Sequence, residues 1–404
     1  MSVLKNRLLM ASALVAVAVV GPAFAQGQNV TIGFLGGFTG PIEAMTPSVL
    51  AGAELAVSQV NAQGGILGGG TLNIVSADGG CDATTAASAG DRLVNSEQVV
   101  AIVGGMCTGE TIAAANGSAI AGNVVMVSPA STAPTLTTLD DNDLVFRVLP
   151  SDAYQGDVLA RLVLSKGIEE VALTWVNNDY GNGFADAFRH AFEEAGGIVS
   201  AAASHEEGRA DYRPEIGTLA ASGAQALVIL AYGNGSGQTV LRQAVESGNF
   251  ATYIAGDGMV LDSLFSGINA AAVEGMIATK PADPDVPGAP IFAEAASAAG
   301  IDPTAIFASQ AYDAAFLLAL AIEKNGSADR AGLSAALREV ATAPGEIILP
   351  GEWEKAVELI AAGVDINYEG ASGLQEFDEV GDVPGAFLEM TVVSGTFTEV
   401  GLAE

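Results

Sequence analysis

The chain is 404 residues long and 50% hydrophobic, with 47 acidic and 15 basic side chains and a formal charge of −32. This length and apolar content suit two domains with cores of ordinary size. The acidic excess argues against nucleic acid and anionic lipid as partners, and by itself it names no ligand.

In chain order, the first element is one expected to be removed. Lys5 and Arg7, the apolar run "LLMASALVAVAVV" (8–20) and the small-x-small "AFA" (23–25) have the form of a secretory signal peptide over 1–25. An exported, soluble, periplasmic protein is the expectation, and without Lys5 and Arg7 its net charge is −34. "NVTIGFLG" (29–36) then predicts a strand, and 47–62 a helix with Val49, Ala53, Ala56 and Val60 as its apolar stripe. Strands are predicted at 71–78, 99–105 and 124–132, with helices at 83–96 and 108–122 between them. The rhythm restarts after "FRVLPSDAYQG" (146–156): strand then loop at 170–183, helix 182–195, strand 198–205 and helix 212–223. Strand and loop at 225–238, helix 238–247 and strand 252–258 complete this series. The proline-rich stretch 278–290 reads as a crossover or hinge, and 291–362 as mostly helical, most clearly over 308–326. Such alternation predicts an α/β protein with parallel sheets covered on both faces.

Cys81 and Cys107 are the only cysteines. An even count in an oxidising compartment favours a disulfide, which stabilises a loop of this length by roughly 3–4 kcal/mol. In open α/β sheets ligands sit beyond the carboxyl ends of the strands. Here those ends are 36–40, 104–111, 128–132, 177–181, 231–237 and 256–258, rich in glycine, hydroxyls and tyrosine. No phosphate loop, nucleophile elbow or metal-spaced cysteine–histidine cluster occurs, so no catalytic residue, cofactor or metal is expected. His190 and His205 read as solvated, and the acidic runs 140–143 and 377–382 as solvated turns.

"VTIGFLGGFTGP" (30–41), "AVSQVNAQGGILGG" (56–69), the cysteine pair, "MVSPAST" (126–132), "FRVLPSDAYQG", "NDYGNG" (178–183) and "GDG" (256–258) fall in one order. Together they resemble the periplasmic leucine/isoleucine/valine-binding proteins of ATP-driven uptake systems, the type I solute-binding proteins. The resemblance implies two Rossmann-like lobes joined by three crossover strands near 146–150, 277–281 and 366–377. Lobe 1 would hold 26–147 plus 279–367, and lobe 2 would hold 148–278 plus 368–404. A small zwitterion, expected to be an amino acid, would bind in the cleft. A monomeric protein would close by hinge bending and hand the ligand to a membrane permease. Carried over by position, Thr108 and Thr132 would donate hydroxyls to the α-carboxylate, helped by backbone at Ala130 and Ser131. Asp257 would pair with the α-ammonium, and Tyr180 and Tyr232 would wall the other side. Met45 stands where the family has an aromatic wall residue, and 351–373 is longer than the branched-chain binders need. Amides, urea or aromatic acids as ligands, and a sensor role for the same cleft, are the alternatives.

Overall fold

The computed structural model describes residues 27–282 and 285–403; the signal peptide expected over 1–25 lies outside them. The first half alternates β1 (Val30–Gly36), α1 (Thr46–Ala62), β2 (Leu72–Asp78), α2 (Ala83–Asp91), β3 (Ala101–Gly104), α3 (Thr108–Ala114), β4 (Val125–Ser128) and β5 (Val145–Arg147). These five strands form one wholly parallel sheet in the order β2-β1-β3-β4-β5. β3, β4 and β5 are buried along their whole length, as parallel strands covered on both faces should be.

A second series follows: α4 (Asp152–Ser165), β6 (Glu170–Val176), α5 (Asp179–Glu194), β7 (Ile198–His205), α6 (Arg213–Ala220), β8 (Ala226–Leu230), α7 (Ser236–Ser247), β9 (Thr252–Ala255) and β10 (Ile277–Pro281). The chain then returns to the first sheet as α8 (Gly288–Ala298), α9 (Ala308–Asn325), α10 (Leu333–Ala341), β11 (Glu346–Ile348), α11 (Trp353–Ala361) and β12 (Ile366–Tyr368). It finishes on the second sheet with β13 (Phe387–Val393) and β14 (Thr396–Leu402). The second sheet has the order β14-β13-β10-β9-β8-β6-β7. Its middle is parallel, and the terminal hairpin joins antiparallel along β10.

The elements absent from the sequence reading are α4, β11 and the β13–β14 hairpin, and one further element differs from it. The loop predicted up to 183 is already helix from Asp179, because Asn178 caps α5 by accepting from the Gly181 amide at 2.9 Å. That cap places Tyr180 on the first turn of a helix. α9 is buried without interruption from Gln310 to Ile322, Asp313 included.

Two residues read as solvated are not. His205 is buried between the hydroxyls of Thr174 (2.9 Å) and Ser236 (3.0 Å), and burial lowers its pKa to about 4. Asp382, in the 377–382 run, pairs with the fully buried guanidinium of Arg147 at 2.6 Å. Both exceptions have one cause: a polar group buried by the fold must find a polar partner.

Candidate functional site

The carboxyl ends of the two sheets face each other across a cavity lined from both. Its first wall grows out of β3 and β4. Cys107 occupies the N-cap of α3 and is bonded to Cys81, 26 residues away. Glu110, three residues on, is fully buried. One of its oxygens accepts from the amides of Met106 (3.0 Å) and Cys107 (3.1 Å), the other from the amide of Cys81 (2.8 Å). Burial pushes this carboxyl up, and the three amides hold it down. The same two loops are therefore joined twice, once by sulfur and once by a carboxylate.

The β4 loop is tied to this turn through hydroxyls. Ser128 donates to the Gly105 carbonyl at 2.6 Å, and its oxygen accepts from the Ser131 amide at 2.9 Å. Ser131 contacts the Thr111 hydroxyl at 2.7 Å and the Gly105 carbonyl at 3.1 Å. The Thr108 hydroxyl accepts from the Ala133 amide at 3.3 Å, which leaves its proton for a further acceptor.

The opposing wall comes from the second sheet. Tyr180 donates to Asp257 at 2.7 Å, and its ring stacks on Tyr232 with centroids 5.2 Å apart. Asp257 follows β9 and is buried; burial raises its carboxyl to about 6 against the opposing effect of the Tyr180 hydroxyl. Burial also holds both tyrosine hydroxyls protonated, well above their ordinary range. Ile42, Met45, Met106 and Phe307 supply the apolar lining. Phe307 adopts φ of 62°, a left-handed conformation costly for a bulky residue, and it is tolerated just before α9 at the cavity wall.

Of the residues singled out in the sequence, Thr108, Ala130, Tyr180, Tyr232 and Asp257 line this one cavity, and so does Met45. Ser131 and Thr132 are buried behind the wall and do not line it. Ser131 is engaged in holding the loops together. Three residues escaped the sequence reading. Glu110 was signalled by its spacing from Cys107, an acid at the third position of a helix. Arg147 and Asp152 carried no local signal. All five donors of Arg147 are engaged: Nε and one Nη2 proton on Asp382, the other on Thr137, and Nη1 on the carbonyls of Thr132 and Ala133.

The two sheets also meet outside the cavity. A β-carbon on Gly183 of α5 would lie 2.8 Å from Pro134, and one on Gly235 would lie 2.6 Å from Pro41.

A family profile described as periplasmic binding protein matches residues 29–354. A leucine-, isoleucine-, valine-, threonine- and alanine-binding protein of Pseudomonas aeruginosa is 31% identical, over 77% of this chain and 82% of its own. The Leu/Ile/Val-binding protein of Escherichia coli is 28% identical, over 83% and 89%. A leucine-binding protein from Thermotoga maritima superimposes with a TM-score of 0.78 at 27% identity, covering 93% of this chain and 99% of that one. A Rhodopseudomonas palustris solute-binding protein in complex with benzoate shares the fold, with a TM-score of 0.74 at 16% identity over 93% and 96% of the two chains.

Proposed function

The chain belongs to the periplasmic binding protein family, and from that premise we propose that it is the periplasmic substrate-binding subunit of an ATP-driven uptake system for a small apolar amino acid. The observation that carries the reading is the polarity of the cavity. Thr108 and the Ala130 backbone stand on one wall, the buried Asp257 carboxylate on the other, and apolar side chains lie between. A zwitterion fits that sequence of groups: carboxylate to hydroxyl and backbone, ammonium to carboxylate, hydrocarbon to Ile42, Met45, Met106 and Phe307. A few convergent polar groups within an otherwise apolar lining have the form of a small-ligand site.

The mechanism is capture and closure. Lobe 1, residues 26–147 and 279–367, holds the ligand carboxylate on the turn fixed by Cys107 and Glu110. Lobe 2, residues 148–278 and 368–404, then swings in and presents Asp257, Tyr180 and Tyr232. Closure buries an ion pair, which is favourable only because each charge keeps its hydrogen bonds. The closed monomer docks on the permease and releases the ligand there without chemical change.

Thermal melting of the mature protein, stripped of ligand by refolding, tests this against leucine, isoleucine, valine, amides, urea and benzoate. A ligand at ~100 times its dissociation constant adds about 2.7 kcal/mol. Stabilisation by apolar amino acids and not by benzoate is expected. Stabilisation by benzoate alone would remove the amino-acid assignment and keep the uptake role.

A further inference from the structure

A second cleft adjoins the cavity. Met45 has a place in both walls, and Ile306 in the cleft is followed by Phe307 in the cavity. Among the described residues, Lys280 of β10 is the one basic side chain that lines this cleft, and it is half-buried. The pairing of β10 with β13 sets Met390 opposite Ala278, two residues before Lys280, so Met390 and Lys280 share one face of the sheet.

The chain carries 47 acidic side chains against 15 basic ones, and the other described lysines are each paired with an acid. Lys166 pairs with Glu389, Lys324 with Glu339 and Asp365, and Lys355 with Glu352. Lys280 makes no ion pair or hydrogen bond among the described residues. Glu399, opposite Met390 on β14, and Asp302 act on it only through space. Both acids are exposed, and one oxygen of Asp302 already accepts from the Thr304 amide and hydroxyl. Burial lowers the Lys280 ammonium from its ordinary range, and these two charges oppose that effect. A half-buried ammonium without an acceptor is unfavourable until one arrives.

The groups of the cleft sort ligands by charge. Lys280 repels a bare cation, and Asp262, Asp302 and Glu399 repel a bare anion. A small molecule that carries both charges satisfies both sets, and Leu261, Ile306, Met390 and Phe397 offer its hydrocarbon a surface. We propose that this cleft is a second, outer site for a small apolar amino acid, held by its carboxylate on the Lys280 ammonium. The outer site goes beyond the reading of the inner cavity and shares no polar lining residue with it.

The test is a nuclear magnetic resonance titration of the mature protein labelled in its methionine methyl groups. Met106 lines the cavity and not the cleft, and Met390 the cleft and not the cavity, so their methyl signals report the two sites separately. Leucine is expected to move Met106 first and Met390 in a second, saturable step at higher concentration. Lys280→Met keeps the apolar stem and removes the charge. It should weaken the Met390 step at least tenfold, as truncating one partner of a charge pair does, and leave the Met106 step within twofold of the parent. In the parent, 4-methylpentanoate (leucine without its ammonium) and 3-methylbutylamine (leucine without its carboxylate) should each move Met390 at least tenfold more weakly than leucine. A Met390 signal that shares the Met106 midpoint, or never saturates, overturns the proposal, and so does a Met390 step that Lys280→Met leaves unchanged. Should the variant not fold, the ranking of the three probes on the parent decides alone, and an acid or amine equal to leucine at Met390 refutes the outer site. Failure of the cavity reading has a different signature: no amino acid then moves Met106, whatever Met390 does.

Discussion

Single side chains set the chemistry of the cavity, and Asp257 is the one whose loss should be felt most. Asp257→Asn removes the charge and keeps the shape, so leucine affinity should fall about 30-fold or more in a calorimetric titration, from 2–5 kcal/mol for one partner of a buried charge pair. The pH dependence follows from its position. Its carboxyl is raised to about 6 in the ligand-free protein, and an ammonium ligand requires it ionised. Protons and ligand therefore compete, and affinity should weaken steadily as the pH falls from 7.5 to 5. Without ligand the sign is opposite: a raised carboxyl makes Asp257's own contribution to stability decline as the pH rises through the window from 3.8 to about 6. His205, lowered to about 4, works against that trend, because its contribution is lost as the pH falls from 6.5 to about 4. Melting curves of His205→Gln between pH 4 and 7 should uncover the joint slope of Asp257 and Asp313, whose carboxyl burial also raises to about 6. Much of this site was legible in the sequence, because strand ends rich in glycine and hydroxyls mark where ligands sit. The buried Asp152 was not, since burial of an acid is a property of the surroundings that no local pattern records.

At the scale of elements, the helix–strand alternation was legible because buried parallel strands read as plain apolar runs. The closing hairpin was missed because its alternation is carried by a weak turn, Ser394–Gly395, with φ of 55° and 84°, where Asn-Gly is the usual signal. α4 was missed because 152–156 was read as part of a motif following Pro150. Long-range ties were invisible for a simpler reason: Arg147 and Asp382 are 235 positions apart. That tie fastens the end of β5 to the last crossover and holds the Thr132 and Ala133 carbonyls from behind. Arg147→Leu leaves Asp382 without its partner and should cost about 3–5 kcal/mol in denaturant unfolding. The doubly joined turn at Cys107 behaves differently. Replacing both cysteines by serine should cost about 3 kcal/mol on the chain-entropy model, and Glu110→Gln should cost more in that background than in the bridged protein. Strict additivity in such a cycle would show that the two ties act independently.

For the whole molecule, a charge of −32 spread over one chain repels itself. Raising the salt from 10 mM to 0.5 M shortens the screening length from about 30 Å to a few ångströms and should raise the melting temperature. No helix among the described residues is long and apolar enough to cross a membrane. The contacts at Gly183 and Gly235 have a practical consequence at this scale. Each is a place where the two halves touch through the smallest residue available. Alanine, valine and leucine at position 183 therefore form a graded set of spacers, each holding the cleft further ajar and each weakening affinity by a further step. Both native cysteines are locked together, so one cysteine added to the rim gives a single attachment point for a dye. The same scaffold becomes a family of fluorescent biosensors whose working concentration ranges are set by the size of one side chain.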